Sequence, residues 1–117
     1  MLFLWYPKCS TCQKAKKWLD EHEISYEMRD IKTENPNAEE LAAWYEKSGL
    51  EIKKFFNTSG LIYKSMNLKE KLPQMSEQEK LELLATDGML VKRPLLIAEN
   101  GVLTGFKVSA WEELLAE

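Results

Sequence analysis

Apolar residues are arranged in three different patterns along the first thirty positions. Residues 1–6 form a continuous apolar run that ends at Pro7, which predicts a central strand buried on both faces. From Ser10 the spacing becomes helical, Ser10 and Gln13 form a capping-box pattern, and one face carries Cys12, Ala15, Leu19 and His22. Alternation over residues 24–28 predicts a second strand. A β-α-β order places the two strands parallel and close together in one sheet.

The middle of the chain follows a helical pattern with frequent turns. A first helix is predicted between a cap at Asn37 and a stop at Gly49, and short helices joined by turns follow over residues 51–72. Ser76 and Glu79 form a second capping box. Residues from about 35 to 90 are therefore predicted to be a helical insert. Because no flexible linker separates it, we expect one domain over residues 1–117.

After Pro94 the pattern is again that of strands. Asn100-Gly101 lies between apolar runs at 95–98 and 102–104, which is a strong signal for a β-hairpin. Ser109 and Glu112 suggest a third capping box at the start of a final helix. The apolar stripes of the predicted helices carry three tryptophans that we expect in the core: Trp18, Trp44 and Trp111.

Charge and hydropathy narrow the class of protein. The 117 residues include 16 basic and 19 acidic side chains, a net charge of −3, which argues against direct binding of nucleic acid. No apolar run approaches the roughly 20 residues of a membrane span, so we expect no membrane contact. The opening run is too short, and lacks the cationic start, for a signal peptide. We expect a cytoplasmic protein.

The two cysteines, Cys9 and Cys12, are three positions apart, which in a reducing compartment indicates redox chemistry or half of a metal site. His22 is the single histidine, and ten helical residues place it about 15 Å from Cys12 along the axis. That separation is too large for one coordination sphere. We therefore expect no metal site and no bound cofactor.

The position of Cys9 favours nucleophilic chemistry. It lies at the entrance of the first helix, where unpaired backbone N–H groups lower the pKa of a thiol, and Lys8 and Lys14 add positive potential. Cys12 lies one turn deeper within reach of Cys9, which suits a resolving thiol. The alternative is that Cys12 is a small core residue and Cys9 an incidental exposed thiol.

Three motifs resemble one known family across essentially the whole chain. The element order, with Cys-x-x-Cys after the first strand and a proline before the third, is that of a thioredoxin-like (glutaredoxin-like) α/β fold with a mixed sheet of about four strands. Residues 6–12 (YPKCSTC), 55–60 (FFNTSG) and 93–97 (RPLLI) resemble the arsenate reductase (ArsC) and Spx family.

The resemblance implies roles for several residues. Pro94 is expected to be cis and close to the cysteine loop, and Arg93 to bind the oxyanion, although a solvated Arg93 is the alternative from composition alone. Pro94 itself indicates an edge strand or a special bend. Arsenate reductases of this family use three arginines, and Asn57 and Lys107 stand where the other two would fall. Neither reproduces the bidentate guanidinium contact, so we expect a weakened anion site.

These features leave three functions open. The first is a thiol oxidoreductase that acts on a small oxyanion or disulfide, with external glutathione and glutaredoxin, or thioredoxin, as reductant. The second is an Spx-type redox-sensing regulator that binds the RNA polymerase α subunit, because Spx proteins also carry Cys-x-x-Cys. Gly49 falls near the glycine that Spx proteins use for this contact, but a helix C-cap explains it equally well. The third is a partner-binding module whose thiols are idle.

Overall fold

The sheet has four strands, and the first strand of the chain lies inside it. The computed structural model describes residues 1–116. Its strands are β1 (Leu2–Trp5), β2 (Glu27–Asp30), β3 (Leu95–Ala98) and β4 (Gly101–Thr104). Their order is β2-β1-β3-β4, with β1 and β2 parallel and the other pairs antiparallel. The predictions of a mixed four-stranded sheet and of a central first strand are confirmed.

Helices flank this sheet and fill the segment between β2 and β3. The α-helices are α1 (Ser10–Glu21), α2 (Ala38–Ser48), α3 (Leu61–Ser65), α4 (Leu68–Lys71), α5 (Glu77–Leu84) and α6 (Val108–Leu115). Short 3-10 helices span Ile52–Phe55, Leu72–Gln74 and Gly88–Leu90. Among residues 1–116, no helix has the length and apolar character needed to cross a membrane.

Two apolar cores lie on opposite faces of the sheet because successive residues of β1 point to opposite sides. Phe3 packs with Ala15, Leu19 and Trp111, so one core is formed by α1, α6 and the sheet. Leu4 packs with residues of the helical segment between β2 and β3. The continuous apolar run of β1 is thus explained by burial on both sides, and it holds the start of α1 at the end of a rigid strand.

Two of the three predicted capping boxes are wrong, and Ser76–Glu79 is the one that forms. Helix α1 has Cys9 as its N-cap with no side-chain cap, because the Gln13 side chain donates to the Pro7 carbonyl instead. Helix α6 begins at Val108 after Lys107, so Ser109 lies inside its first turn. The helix therefore starts earlier than the predicted cap at Ser109. Trp111 on this helix is buried, and its indole N–H donates to the Gly105 carbonyl at 3.1 Å.

The structure corrects the start of the second strand and refines two other predictions. The second strand begins at Glu27 rather than Ile24, and Met28 is 46% exposed because β2 is an edge strand. The predicted hairpin is present, and its turn consists of Glu99 and Asn100, with Gly101 already paired to Ala98. Pro94 precedes β3, which is an internal strand, so its missing N–H reflects a bend and not a sheet edge.

Gly88 lies where the chain passes against the loop after β2, and this contact gives a stability prediction. A Cβ at this position would lie 1.8 Å from the Ile31 carbonyl oxygen, which is backbone and cannot turn aside. We expect Gly88→Ala to lower the free energy of unfolding by about 1–3 kcal/mol in denaturant titrations. Gly101→Ala is the matched control, because its Cβ meets only the flexible end of Leu114. Equal stability losses in both variants would contradict the prediction.

Candidate active site

The loop between β1 and α1 holds Cys9 at the entrance of the helix. The Cys9 N–H donates to the Tyr6 carbonyl at 2.9 Å, and the Gln13 N–H donates to the Cys9 carbonyl at 3.0 Å. The Gln13 side chain closes the loop by donating to Pro7 at 2.7 Å. Cys9 is therefore fixed as the N-cap of α1, with the unpaired N–H groups of the first turn beside its side chain.

The surroundings of Cys9 favour its thiolate. Burial acts to raise the pKa of this thiol, but hydrogen bonds from the Cys12 backbone N–H and thiol, the charge of Arg93 and the Thr11 N–H outweigh that effect. The pKa of Cys9 is consequently lowered from its ordinary value. The side chain remains partly exposed, so an external reactant can reach it.

Cys12 has the opposite character. It is fully buried on the inner face of α1, and the Tyr6 N–H points at its sulfur at 3.5 Å. The pKa of Cys12 is raised to about 12, mainly by burial and in part by the neighbouring Cys9. Both cysteines are free thiols. The pair thus consists of an accessible thiol that ionises readily and a buried thiol that stays protonated and donates a hydrogen bond to Cys9.

Arg93 reaches this pair from the segment before β3. The Arg93–Pro94 peptide bond is cis, and the guanidinium carbon lies 5.3 Å from the centre of the Tyr6 ring. The Nε and Nη1 atoms of Arg93 are buried and have no hydrogen-bond partner among residues 1–116. Buried guanidinium donors without partners are costly, and an anion beside Cys9 would satisfy them.

The predicted site residues are divided among different places. Cys9, Asn57 and Arg93 line one cavity of about 480 Å³, which is open to solvent. Lys107 lines an adjoining cavity of about 760 Å³ that also contacts Arg93 but not Cys9. Lys8 is exposed and lines neither cavity. The structure therefore brings Asn57 and Arg93 to the cavity of Cys9 and leaves Lys107 and Lys8 outside it.

The side chain of Asn57 is engaged by Ser59 of its own loop and by Met89, so it does not project freely into the cavity. Its Nδ2 faces the Met89 carbonyl at 3.5 Å, and its Oδ1 accepts from the Ser59 hydroxyl at 3.3 Å. Gly60 lies so close that a Cβ there would be 2.7 Å from Nδ2. The amide therefore shapes the wall of the cavity, which explains why glycine follows at position 60.

Metal binding has no support in the arrangement of ligand atoms. Within residues 1–116, no group of three or more His, Cys, Asp or Glu side chains could hold a metal ion. The His22 ring stacks on Trp18 at 4.1 Å between centroids and contacts the Trp18 carbonyl. His22 is thus engaged at the far end of α1 from the cysteines.

Comparison with known proteins identifies the family. A model of the ArsC family matches residues 4–114. The chain belongs to the ArsC family. A crystal structure of an ArsC family related protein from Bacteroides fragilis superposes with a TM-score of 0.94 at 60% identity, and the match covers 97% of this chain and 95% of that one. The thioredoxin-like fold expected from the motifs is thereby confirmed.

Relatives within and around the ArsC family carry different names. YusI of Bacillus subtilis (strain 168) is 58% identical over 97% of this chain and 96% of its own length. A possible arsenate reductase from Streptococcus mutans UA159 is 50% identical with a TM-score of 0.88, covering 97% of this chain and 95% of that one. The global transcriptional regulator Spx of Enterococcus faecalis is 33% identical over 86% of this chain and 74% of its own length.

Some residues around Cys9 escaped the sequence analysis. Tyr6 contacts both Cys12 and Arg93, and Lys92 and Thr11 line both cavities. Tyr6 and Thr11 stand inside the YPKCSTC motif, and that proximity was the signal for them. For Lys92 the sequence offered only its place beside Arg93, which a surface lysine would share.

The opposite environments of the two thiols of this ArsC family member predict a distinct pH profile for alkylation. Cys9 should react with iodoacetamide with a midpoint below the free-thiol value of about 8.5 because its pKa is lowered. Cys12 should stay unreactive until strongly alkaline pH, since its thiolate forms only near pH 12. Mass spectrometry of labelled peptides measures both rates. A Cys9 midpoint at or above about 8.5 would contradict the prediction.

Proposed function

We propose that this protein is a thiol-dependent oxidoreductase of the arsenate reductase type, with Cys9 as nucleophile and Cys12 as resolving thiol. One observation supports it above the others: the thiol with the lowered pKa shares a cavity with Arg93, whose buried Nε and Nη1 lack partners. An anionic oxidant bound by those donors lies beside the thiolate.

The proposed reaction balances with two cysteines. The Cys9 thiolate attacks arsenic(V), an As–S bond forms, and one oxygen leaves as water after taking up protons. Cys12 gives up its proton and its sulfur attacks Cys9, so that an S–S bond forms and the As–S electron pair stays on arsenic. Arsenite is released, and the disulfide holds the two-electron oxidation. An external dithiol such as glutaredoxin or thioredoxin, or glutathione, then reduces it.

The same residues serve a disulfide substrate. Cys9 attacks one sulfur and the other leaves as a thiolate, after which the Cys12 sulfur attacks Cys9, a Cys9–Cys12 disulfide forms, and the second half of the substrate leaves as a thiolate. This route needs no oxyanion, but the positive charge of Arg93 still favours a substrate that carries negative charge near the reacting sulfur.

A second candidate function is an Spx-like redox-sensing regulator that binds the RNA polymerase α subunit. The identity with the Spx regulator of Enterococcus faecalis favours it. Gly49 ends α2 with a φ of +67°, is exposed, and has open space around it, so a partner can approach this position. The left-handed φ accounts for the glycine without any partner, so Gly49 does not discriminate between the two functions.

A paired experiment separates the two functions. Arsenate turnover is measured through NADPH consumption coupled to glutaredoxin or thioredoxin, and the same preparation is tested for capture by the RNA polymerase α subunit. We expect turnover that disappears in Cys9→Ser, and no capture. Capture without any turnover would contradict the enzyme and favour the regulator. If neither turnover nor capture is observed, the remaining interpretation is a partner-binding module whose thiols are idle.

A further inference from the structure

A further cavity lies within the helical segment between β2 and β3. It has a volume of about 130 Å³ and contains neither Cys9 nor Arg93. Its apolar wall is formed by Ile52, Phe56, Tyr63 and Leu72, each less than a tenth exposed. An apolar cavity of about 150 Å³ accepts one benzene ring, so this one suits a single six-membered aromatic ring.

Two aromatic side chains favour such a ring. Phe56 and Tyr63 have ring centres 6.3 Å apart with planes inclined by 61°, so the two aromatic rings present different surfaces. A third ring can pack edge-to-face against either. The hydroxyl of Tyr63 has no hydrogen-bond partner in residues 1–116, whereas those of Tyr26 and Tyr45 donate to carboxylates. The ring of Tyr63 is buried but its hydroxyl is not enclosed, so this hydroxyl is available to a polar ligand atom.

The charged residues of this cavity all have the same sign. Lys53, Lys69 and Lys80 line it, and no acidic side chain does. None of the three forms an ion pair within the described part of the chain, where the ion pairs are Lys16–Asp20 and Arg29–Glu40. Three lysine ammonium groups beside an apolar cavity create a positive potential that favours an anionic ligand.

No acidic residue on the same helices forms an ion pair with these lysines within the described part of the chain. Glu70 accepts from Asn67, Glu77 accepts from the Tyr45 hydroxyl, and Glu79 closes the capping box with Ser76. Each of these carboxylates is thereby engaged by a neutral partner, and none pairs with the three lysines. The positive charge of the cavity is left for a ligand.

We propose that this cavity binds a small aromatic carboxylate, with the ring against Phe56 and Tyr63 and the carboxylate among Lys53, Lys69 and Lys80. The inference does not rest on the proposed oxidoreductase function, because the cavity shares no residue with the Cys9 cavity. The volume of the cavity fits one ring, and the charge of the lysines favours an anionic ligand over a neutral aromatic one. The free Tyr63 hydroxyl is an additional donor to the carboxylate.

Benzoate is the probe, titrated into ¹⁵N-labelled protein and followed by NMR. We expect saturable binding with a dissociation constant of about 1 mM or tighter, and shifts centred on Phe56, Tyr63 and Leu72. Benzamide has the same ring without the charge and should bind at least about fivefold more weakly. Acetate, which lacks the ring, should not saturate. Equal affinity for benzamide and benzoate, or no saturable benzoate binding, would overturn the proposal.

Variants locate the bound ligand. Lys69→Gln and Lys80→Gln should each weaken benzoate binding about two- to fivefold, while Lys17→Gln on α1 should leave it unchanged. Tyr63→Phe keeps the ring and removes the donor, so it should also weaken binding. Cys9→Ser and Arg93→Ala should have no effect on benzoate affinity. Loss of binding in Arg93→Ala, with the lysine variants unaffected, would place benzoate at the Cys9 cavity and contradict the proposal.

Discussion

Cys9→Ser should abolish turnover of arsenate or disulfide substrates, which is the largest effect we expect from any single substitution. A serine hydroxyl keeps the size of the side chain but does not ionise near neutral pH, so the nucleophile is lost. The fold should be unaffected, because Cys9 is partly exposed and a serine oxygen can accept from the same N–H groups at the start of α1. The NADPH-coupled assay measures turnover, and thermal unfolding checks the fold.

Cys12→Ser is the matched comparison, because it leaves the nucleophile in place. The first attack should still occur, so the Cys9 adduct should accumulate with one equivalent of substrate and be visible by mass spectrometry. Release would then need an external thiol. A hydroxyl in place of the thiol also costs more to bury, for which about 1–3 kcal/mol of stability is expected to be lost. Full multiple turnover in Cys12→Ser without external thiol would remove Cys12 from the mechanism.

Most of the fold could be predicted because the clearest apolar patterns in the sequence belong to residues that are buried. The apolar run of β1 and the helical stripe of α1 remain visible in any local context, and both lie in the cores. The start of a helix is less predictable. Ser10 and Gln13 have the residue types of a capping box, yet the Gln13 side chain donates to the Pro7 carbonyl and does not return to the helix start. Such competition depends on the three-dimensional course of the loop, which no local pattern contains.

The candidate site was predictable where several residues lie in one short motif. Cys9 and Cys12 are adjacent turns of one helix, so their separation follows from helix geometry. Lys107 and Asn57 come from distant segments, and alignment with family motifs places them only approximately. The structure puts Lys107 in the adjoining cavity and engages the Asn57 amide with Ser59 of its own loop and with the Met89 carbonyl. The contact with Met89 and the placement of Lys107 are long-range, so the sequence could not specify them.

The insert cavity was missed for a related reason. Phe56 stands in the FFNTSG motif, and Tyr63 follows it in the segment predicted to form short helices. Nothing in the spacing of Lys53, Lys69 and Lys80 indicates that three separate short helices bring them to one opening. Charge clusters built from distant residues resemble an ordinary solvated surface until the chain is folded.

Arg93→Ala should remove oxyanion binding, the second large effect. The guanidinium presents buried Nε and Nη1 atoms without partners, and a charged hydrogen bond is worth about 1.5–3 kcal/mol, so affinity should fall about 10- to 100-fold. Loss of the nearby positive charge should also raise the pKa of Cys9, because Arg93 is one of the causes that lower it. Titration calorimetry with arsenate or sulfate measures affinity, and the alkylation profile measures the pKa.

Arg93→Lys separates charge from geometry. A lysine restores a positive charge near Cys9 but offers no planar fork at the places of Nε and Nη1. The pKa of Cys9 should therefore remain close to that of the wild type, while oxyanion affinity stays well below it. Lys107→Ala serves as the surface control, since Lys107 lies in the adjoining cavity, and it should change affinity less than Arg93→Lys. If Lys107→Ala weakened the anion more than Arg93→Ala, the oxyanion would bind in the adjoining cavity, and Arg93 would serve Cys9 only through its charge.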